Sequence, residues 1–96
     1  MKKYDLVFLT EITEEYTKKQ AVYFFNNGYG ISIINIIGRN GEHYSYTRSK
    51  DQYEIAVLEG SKNNSKITYD TIITDDVIGY LEIEEVYKIM NQIEDL

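Results

Sequence analysis

Ala21-Val22-Tyr23-Phe24-Phe25-Asn26-Asn27-Gly28-Tyr29-Gly30-Ile31-Ser32-Ile33-Ile34-Asn35-Ile36-Ile37 reads as one β-hairpin. Asn27-Gly28 is the favoured dipeptide of a two-residue type I′ turn, because both central positions need positive φ. A turn placed there sets Phe24 opposite Ile31 and Val22 opposite Ile33, with the four apolar side chains on one face. The other face receives Tyr23 beside Ser32 and Phe25 beside Gly30. That register is self-consistent, and the rest of the chain can be read outward from it.

The composition agrees with a β-rich body. Fourteen Ile and ten Tyr stand against two Ala, and β-branched and aromatic side chains suit pleated, half-buried surfaces. Upstream, residues 4–10 read as a short strand and residues 11–19 as a polar connection. Downstream, residues 38–41 make a second turn. Residues 42–48 read as a strand with Tyr44 and Tyr46 on one face and His43, Ser45 and Thr47 on the other. The apolar run 53–58 reads as a central strand, 61–65 as a polar loop and 66–73 as a further strand. Gly79 falls in a short connector, a helical turn opened by Thr74 as N-cap. Ile83, Val86, Met90 and Ile93 recur at spacings of three and four, which predicts a C-terminal amphipathic helix. The expected fold is therefore α+β, a single domain over residues 1–96: an antiparallel sheet of four to five strands with the C-terminal helix packed on one face.

Charge is unevenly placed. Residues 75–96 hold seven carboxylates against Lys88, a balance of −6, while the first 74 residues hold nine acids and nine bases. A one-sided negative field repels nucleic acid and attracts basic protein surfaces. Glu82, Glu84 and Glu85 fall in the first helical turn, where negative charge is stabilising. Glu84 and Lys88 form an i,i+4 pair. Glu94 and Asp95 gain nothing from the helix dipole, so a partner or solubility is their use. The candidate partner-binding residues are Asp75, Asp76, Glu84, Glu85, Glu94 and Asp95.

Other chemistry is sparse. There is no cysteine, hence no disulfide and no thiolate metal site, which suits a reducing cytoplasm. The apolar run 6–9 is too short for a signal sequence or membrane span, and Asn63-Asn64-Ser65 reads as a loop, not a glycosylation site. The expectation is a cytoplasmic protein with no cofactor. His43 is the only histidine, and no local signature supplies it with a nucleophile and an acid, so no enzyme is expected. Asp75-Asp76 could meet Mg²⁺, but two acids after Thr74 more simply complement a helical turn, so no metal is assigned. Asn27-Gly28-Tyr29-Gly30 lacks the third glycine and following helix of a phosphate loop.

Arg39, Tyr44, Tyr46, Arg48 and Lys50 form a basic, aromatic stretch of the kind that grips single-stranded nucleic acid. This is the alternative reading; the −6 end opposes it.

Asn27-Gly28-Tyr29-Gly30-Ile31-Ser32-Ile33-Ile34, then Tyr53-Glu54-Ile55-Ala56-Val57-Leu58, then residues 67–81 together resemble small proteins of phages and mobile elements of Gram-positive bacteria. No activity is attached to those proteins, and the resemblance carries over no functional residue. It implies an accessory protein that binds a host protein with a basic surface. One version is an acidic inhibitor occupying the nucleic-acid groove of a defence protein of the CRISPR type. A homodimer through an exposed strand edge is compatible with this reading.

Overall fold

The hairpin built on Asn27-Gly28 is present, one residue out of the expected register. The computed structural model describes residues 4–68 and 77–96. In it β1 (Leu9–Ile12), β2 (Tyr16–Phe24), β3 (Tyr29–Gly38), β4 (Tyr53–Ser61), β5 (Asn64–Ile67) and β6 (Ile78–Leu81) precede α1 (Ile83–Glu94). The strands run in the order β1-β2-β3-β4-β5, with β6 also paired to β4, and every pairing is antiparallel. The α+β sheet-and-helix architecture therefore holds, with six strands where four to five were expected.

Phe25 N–H donates to Tyr29 O at 2.8 Å, so the turn is Asn26-Asn27-Gly28, with Gly28 left-handed at φ 87°. The ladder then pairs Phe24 with Gly30, Tyr23 with Ile31, Val22 with Ser32 and Ala21 with Ile33. A slip of one residue turns a whole strand over. Ala21, Tyr23 and Phe25 now join Ile31 and Ile33 on the helix side, and Val22 is left 48% exposed. The aromatic rings explain the choice. Tyr4, Tyr23 and Phe25 interlock edge to face at centroid distances of 5.0–5.7 Å on the core side, where the expected register would have set Tyr23 and Phe25 on the face opposite Ile31 and Ile33.

Residues 11–19 are not a polar connection. They form most of a second hairpin, closed by Thr13 N–H donating to Tyr16 O at 2.9 Å. Thr13 Oγ1 accepts from the backbone N–H of Glu15 and Tyr16. The charge of Lys19 is accommodated in β2 by aromatic rings: its Nζ sits 5.9 Å and 5.5 Å from the ring centres of Phe8 and Tyr53.

Residues 42–48 are not a strand either. A single bridge links His43 to Ile37, and the segment covers the stretch of β3 that outruns β4. There Ser45 Oγ accepts from Ile36 N–H at 2.9 Å, replacing a missing strand partner. The buried Asn35 amide donates to the carbonyls of Ser49 and Gln52, anchoring the following turn. β4 is central, as its apolar run implies. The loop expected over 61–65 tightens to two residues, because Ser61 already pairs with Asn64. The strand expected over 66–73 starts at Asn64 and ends at Ile67. Thr74 and residues 69–73 lie outside the described residues, and Gly79 belongs to β6.

The helix matches its periodicity. Val86, Met90 and Ile93 are fully buried against Ile31, Ile33, Ile55 and Val57. Glu82 and Glu85 form a reciprocal capping box at its start. At its end Asn27 Nδ2 donates to Ile93 O at 2.8 Å and to Glu94 O at 3.2 Å, so the first hairpin turn caps the helix C-terminus. No helix among the described residues is long and apolar enough to cross a membrane.

Candidate interaction site

β6 joins β4 through a bulge. Tyr53 pairs with Leu81 and Ile55 with Ile78, so Gly79 and Tyr80 together face the single residue Glu54. Where a bulge of this kind carries a left-handed residue, that residue is ordinarily glycine. Here Tyr80 takes that conformation, at φ 59°, with a glycine next to it in the chain. For a residue with a side chain this costs about 1–2 kcal/mol.

Three contacts hold the arrangement. Tyr80 N–H donates to Tyr46 O at 2.7 Å. Tyr46 N–H donates to Glu54 Oε1 at 2.9 Å. Gly79 lies flush on Tyr46, leaving no room for a Cβ, which would stand 2.7 Å from the Tyr46 carbonyl oxygen. The result is an outward display of rings. Tyr46 and Tyr80 are 56% and 47% exposed, with centroids 6.4 Å apart and planes tilted by 40°. The Arg48 guanidinium carbon lies 4.7 Å from the centre of the Tyr80 ring. Arg48 is steadied through its backbone N–H, which donates to Gln52 Oε1.

The basic, aromatic stretch is thus divided. Tyr46 and Arg48 meet at Tyr80. Arg39 is engaged elsewhere, its Nε and Nη2 donating to Thr13 O at 3.1 and 2.8 Å and bracing the β1–β2 turn. The Tyr44 hydroxyl lies over Gly38, and Lys50 is exposed in the turn beyond Arg48. His43 Nδ1 sits 2.8 Å from Thr47 Oγ1, itself 3.0 Å from Ser45 Oγ. This hydroxyl chain ends on the backbone of Ile36 with Ser45 and Thr47 buried, so its work is to pin the 43–47 segment to β3.

The carboxylates are spread along α1. Asp75 and Asp76 lie outside the described residues. Glu84 and Asp95 share one exposed stripe with Lys88 and Asn91, given 100° per residue. Glu85 accepts from Glu82 N–H at 2.9 Å in the capping box. Glu94 accepts from the Tyr4 hydroxyl at 2.9 Å. The stripe alone therefore carries a net charge of −1, and the denser group is Glu82, Glu84 and Glu85 at the helix start. Those residues begin two positions after Tyr80, and five residues of extended chain, the separation to Glu85, span at most about 18 Å. Among the described residues no group of three His, Asp or Glu could hold a metal.

No family model matches the chain, and no significant match is found among curated proteins or solved structures. Tyr80 escaped the sequence reading because it has no place in a periodic pattern. The one signal for it was Gly79 inside a short apolar run, which marks a bulge or a close backbone approach.

Proposed function

We propose that this protein is a non-enzymatic accessory protein of a phage or mobile element that acts by binding a host protein. Tyr46 and Tyr80 are its anchors, and the carboxylates at the start of α1 flank them. The observation that carries the reading is the left-handed tyrosine. Glycine would fill the bulge without strain, so keeping an aromatic there has a use that offsets the cost, and the ring is turned to solvent. Tyrosine and arginine are also the residues in which interface binding energy concentrates.

The chemistry of the partner follows from the surroundings. Arg48 over Tyr80 is an internal example of what these rings accept, a planar cation. Glu82, Glu84 and Glu85 add negative potential beside them. A basic protein surface fits both, including the nucleic-acid groove of a host defence protein of the CRISPR type. The test is to isolate the partner from host lysate by affinity capture and then measure Kd for variants. Tyr80→Gly should weaken binding by about 30-fold, corresponding to about 2 kcal/mol for a hot-spot tyrosine. Glu84→Lys should weaken it less, with the loss shrinking at high salt. Unchanged affinity in both would overturn the reading.

A second reading rests on one observation: two half-exposed rings stand beside a guanidinium for which no described residue supplies a side-chain hydrogen bond. Single-stranded nucleic acid uses such groups, although Glu54 and Glu82 oppose phosphate here. Anisotropy titration of short single-stranded oligonucleotides at low salt decides it. Binding at about 10 µM protein that Tyr46→Ala abolishes would replace the protein partner with nucleic acid.

A further inference from the structure

The free edge of β1 is built unlike the rest of the surface. The Thr13–Tyr16 hydrogen bond closes the hairpin, so Glu11↔Lys18 and Leu9↔Gln20, two and four residues along, are the pairs that exchange backbone bonds. Thr10 and Ile12 therefore aim their N–H and C=O groups away from β2, at the outer end of the sheet, and Phe8 immediately precedes this strand. Val7, Leu9 and Ile12 are 71%, 73% and 71% exposed, the most exposed large apolar side chains among the described residues. From Leu6 to Thr13 the only charge is Glu11, and the chain contains no proline.

Sheets ordinarily protect such an edge with lysine, proline, a bulge or a covering loop. The opposite end of this sheet is protected. β5 is four residues long and carries Lys66, and β6 receives Tyr46 through the Tyr80 backbone bond. β1 is as short as β5, but it has no lysine and no proline, its pairing with β2 is regular, and its one charge is Glu11.

We infer that two copies of the chain pair through residues 6–12, β1 and the three residues that lead into it, antiparallel about a twofold axis at Leu9, joining two six-stranded sheets into one of twelve. The register is self-complementary. Leu9 meets the partner's Leu9, Phe8 exchanges backbone bonds with the partner's Thr10, Val7 faces the partner's Glu11 and Leu6 the partner's Ile12. No like charges stand opposite each other. The acidic helix does not oppose this pairing, because α1 packs on β3, β4 and β6 at the other side of the sheet. Five strand spacings separate β3 from its copy, about 24 Å, against a screening length of about 8 Å at physiological salt. The Tyr46–Tyr80 surface lies away from the paired edge, so the dimer presents two copies of it.

Analytical ultracentrifugation of the full chain over about a hundredfold range of concentration tests the inference. The expected mass rises from the 11.3 kDa chain to twice that value and stops there, because each copy has one such edge. Leu9→Lys sets two like charges at the axis, and Thr10→Pro removes an outward N–H while sparing the bonds to β2. Both should stay monomeric with unchanged circular dichroism. A wild-type monomer at every concentration, open-ended growth in mass, or a dimer indifferent to both substitutions would each overturn the inference. None of these outcomes depends on the host partner, so they are separable from failure of the binding proposal.

Discussion

Tyr80 occupies a backbone position that glycine would occupy without strain, and the balance there can be measured. Tyr80→Gly removes about 1–2 kcal/mol of strain and gives up the contacts with Arg48 and Tyr46. A cation–π contact at an exposed site is worth about 0.5–1 kcal/mol. The expected denaturation midpoint of Tyr80→Gly is therefore at or above that of the wild type. Tyr80→Val keeps the strain and loses the ring, and should fall by about 0.5–1 kcal/mol. Asn27 has a different task. Its amide reaches the carbonyls of Ile93 and Glu94, and its Oδ1 accepts from Tyr29 N–H, so it serves the turn and the helix end together. Asn27→Ala should cost about 1–2 kcal/mol in urea melts, with amide exchange accelerated first at residues 93–96. Tyr16 supplies a pH signature. Its hydroxyl donates to Glu11 Oε1 at 2.9 Å, and that bond together with the carboxylate's charge holds its pKa above the ordinary tyrosine value. The folded state thus favours the protonated phenol. Its contribution is fully present below pH 10 and is lost as pH rises through the folded pKa. In a spectroscopic titration Tyr16 should ionise after an unperturbed tyrosine, and Glu11→Gln should bring it back toward the ordinary range.

At the scale of elements, the register of the first hairpin makes the sharpest prediction. Val22 sits on the side of the sheet without the helix and is half exposed, whereas Met90 is fully buried. Val22→Ser should cost less than about 1 kcal/mol and Met90→Ala about 2–5 kcal/mol, read from equilibrium unfolding. In the register suggested by a two-residue turn, Val22 would face the core and its loss would be felt comparably. The comparison shows what could be read from the sequence. Asn27-Gly28 located the hairpin, and apolar spacing located α1, because both signals are local. The choice between a two- and a three-residue loop was not local; it depended on Tyr4, far away in sequence, and on the helix end that Asn27 caps. Lys19 hid the start of β2 because its charge is received by the rings of Phe8 and Tyr53, a contact that no local pattern announces. The 42–48 segment has the alternation of a strand, yet its alternate residues Ser45 and Thr47 are spent on β3 and His43. Of the candidate site, Tyr46 and Arg48 were legible as an exposed aromatic and a cation. Tyr80 was not, since a bulge is set by the count of residues on two strands far apart in the chain.

For the molecule as a whole, the surface is divided by chemistry. The β1 edge is largely apolar with Glu11 its one charge, the opposite end carries displayed rings beside a helix start rich in carboxylates, and the hydroxyl chain beneath them fixes the loop that presents Tyr46. On this account binding energy resides in the rings, and the acidic helix adds attraction that salt removes. The most direct test is quantitative affinity capture from host lysate with wild-type protein, Tyr80→Phe and Tyr80→Gly, each verified as folded. The same partner should be recovered with wild type and Tyr80→Phe, and recovery should collapse with Tyr80→Gly. Equal recovery with Tyr80→Gly would contradict the account, because the strained ring would then have no part in recognition.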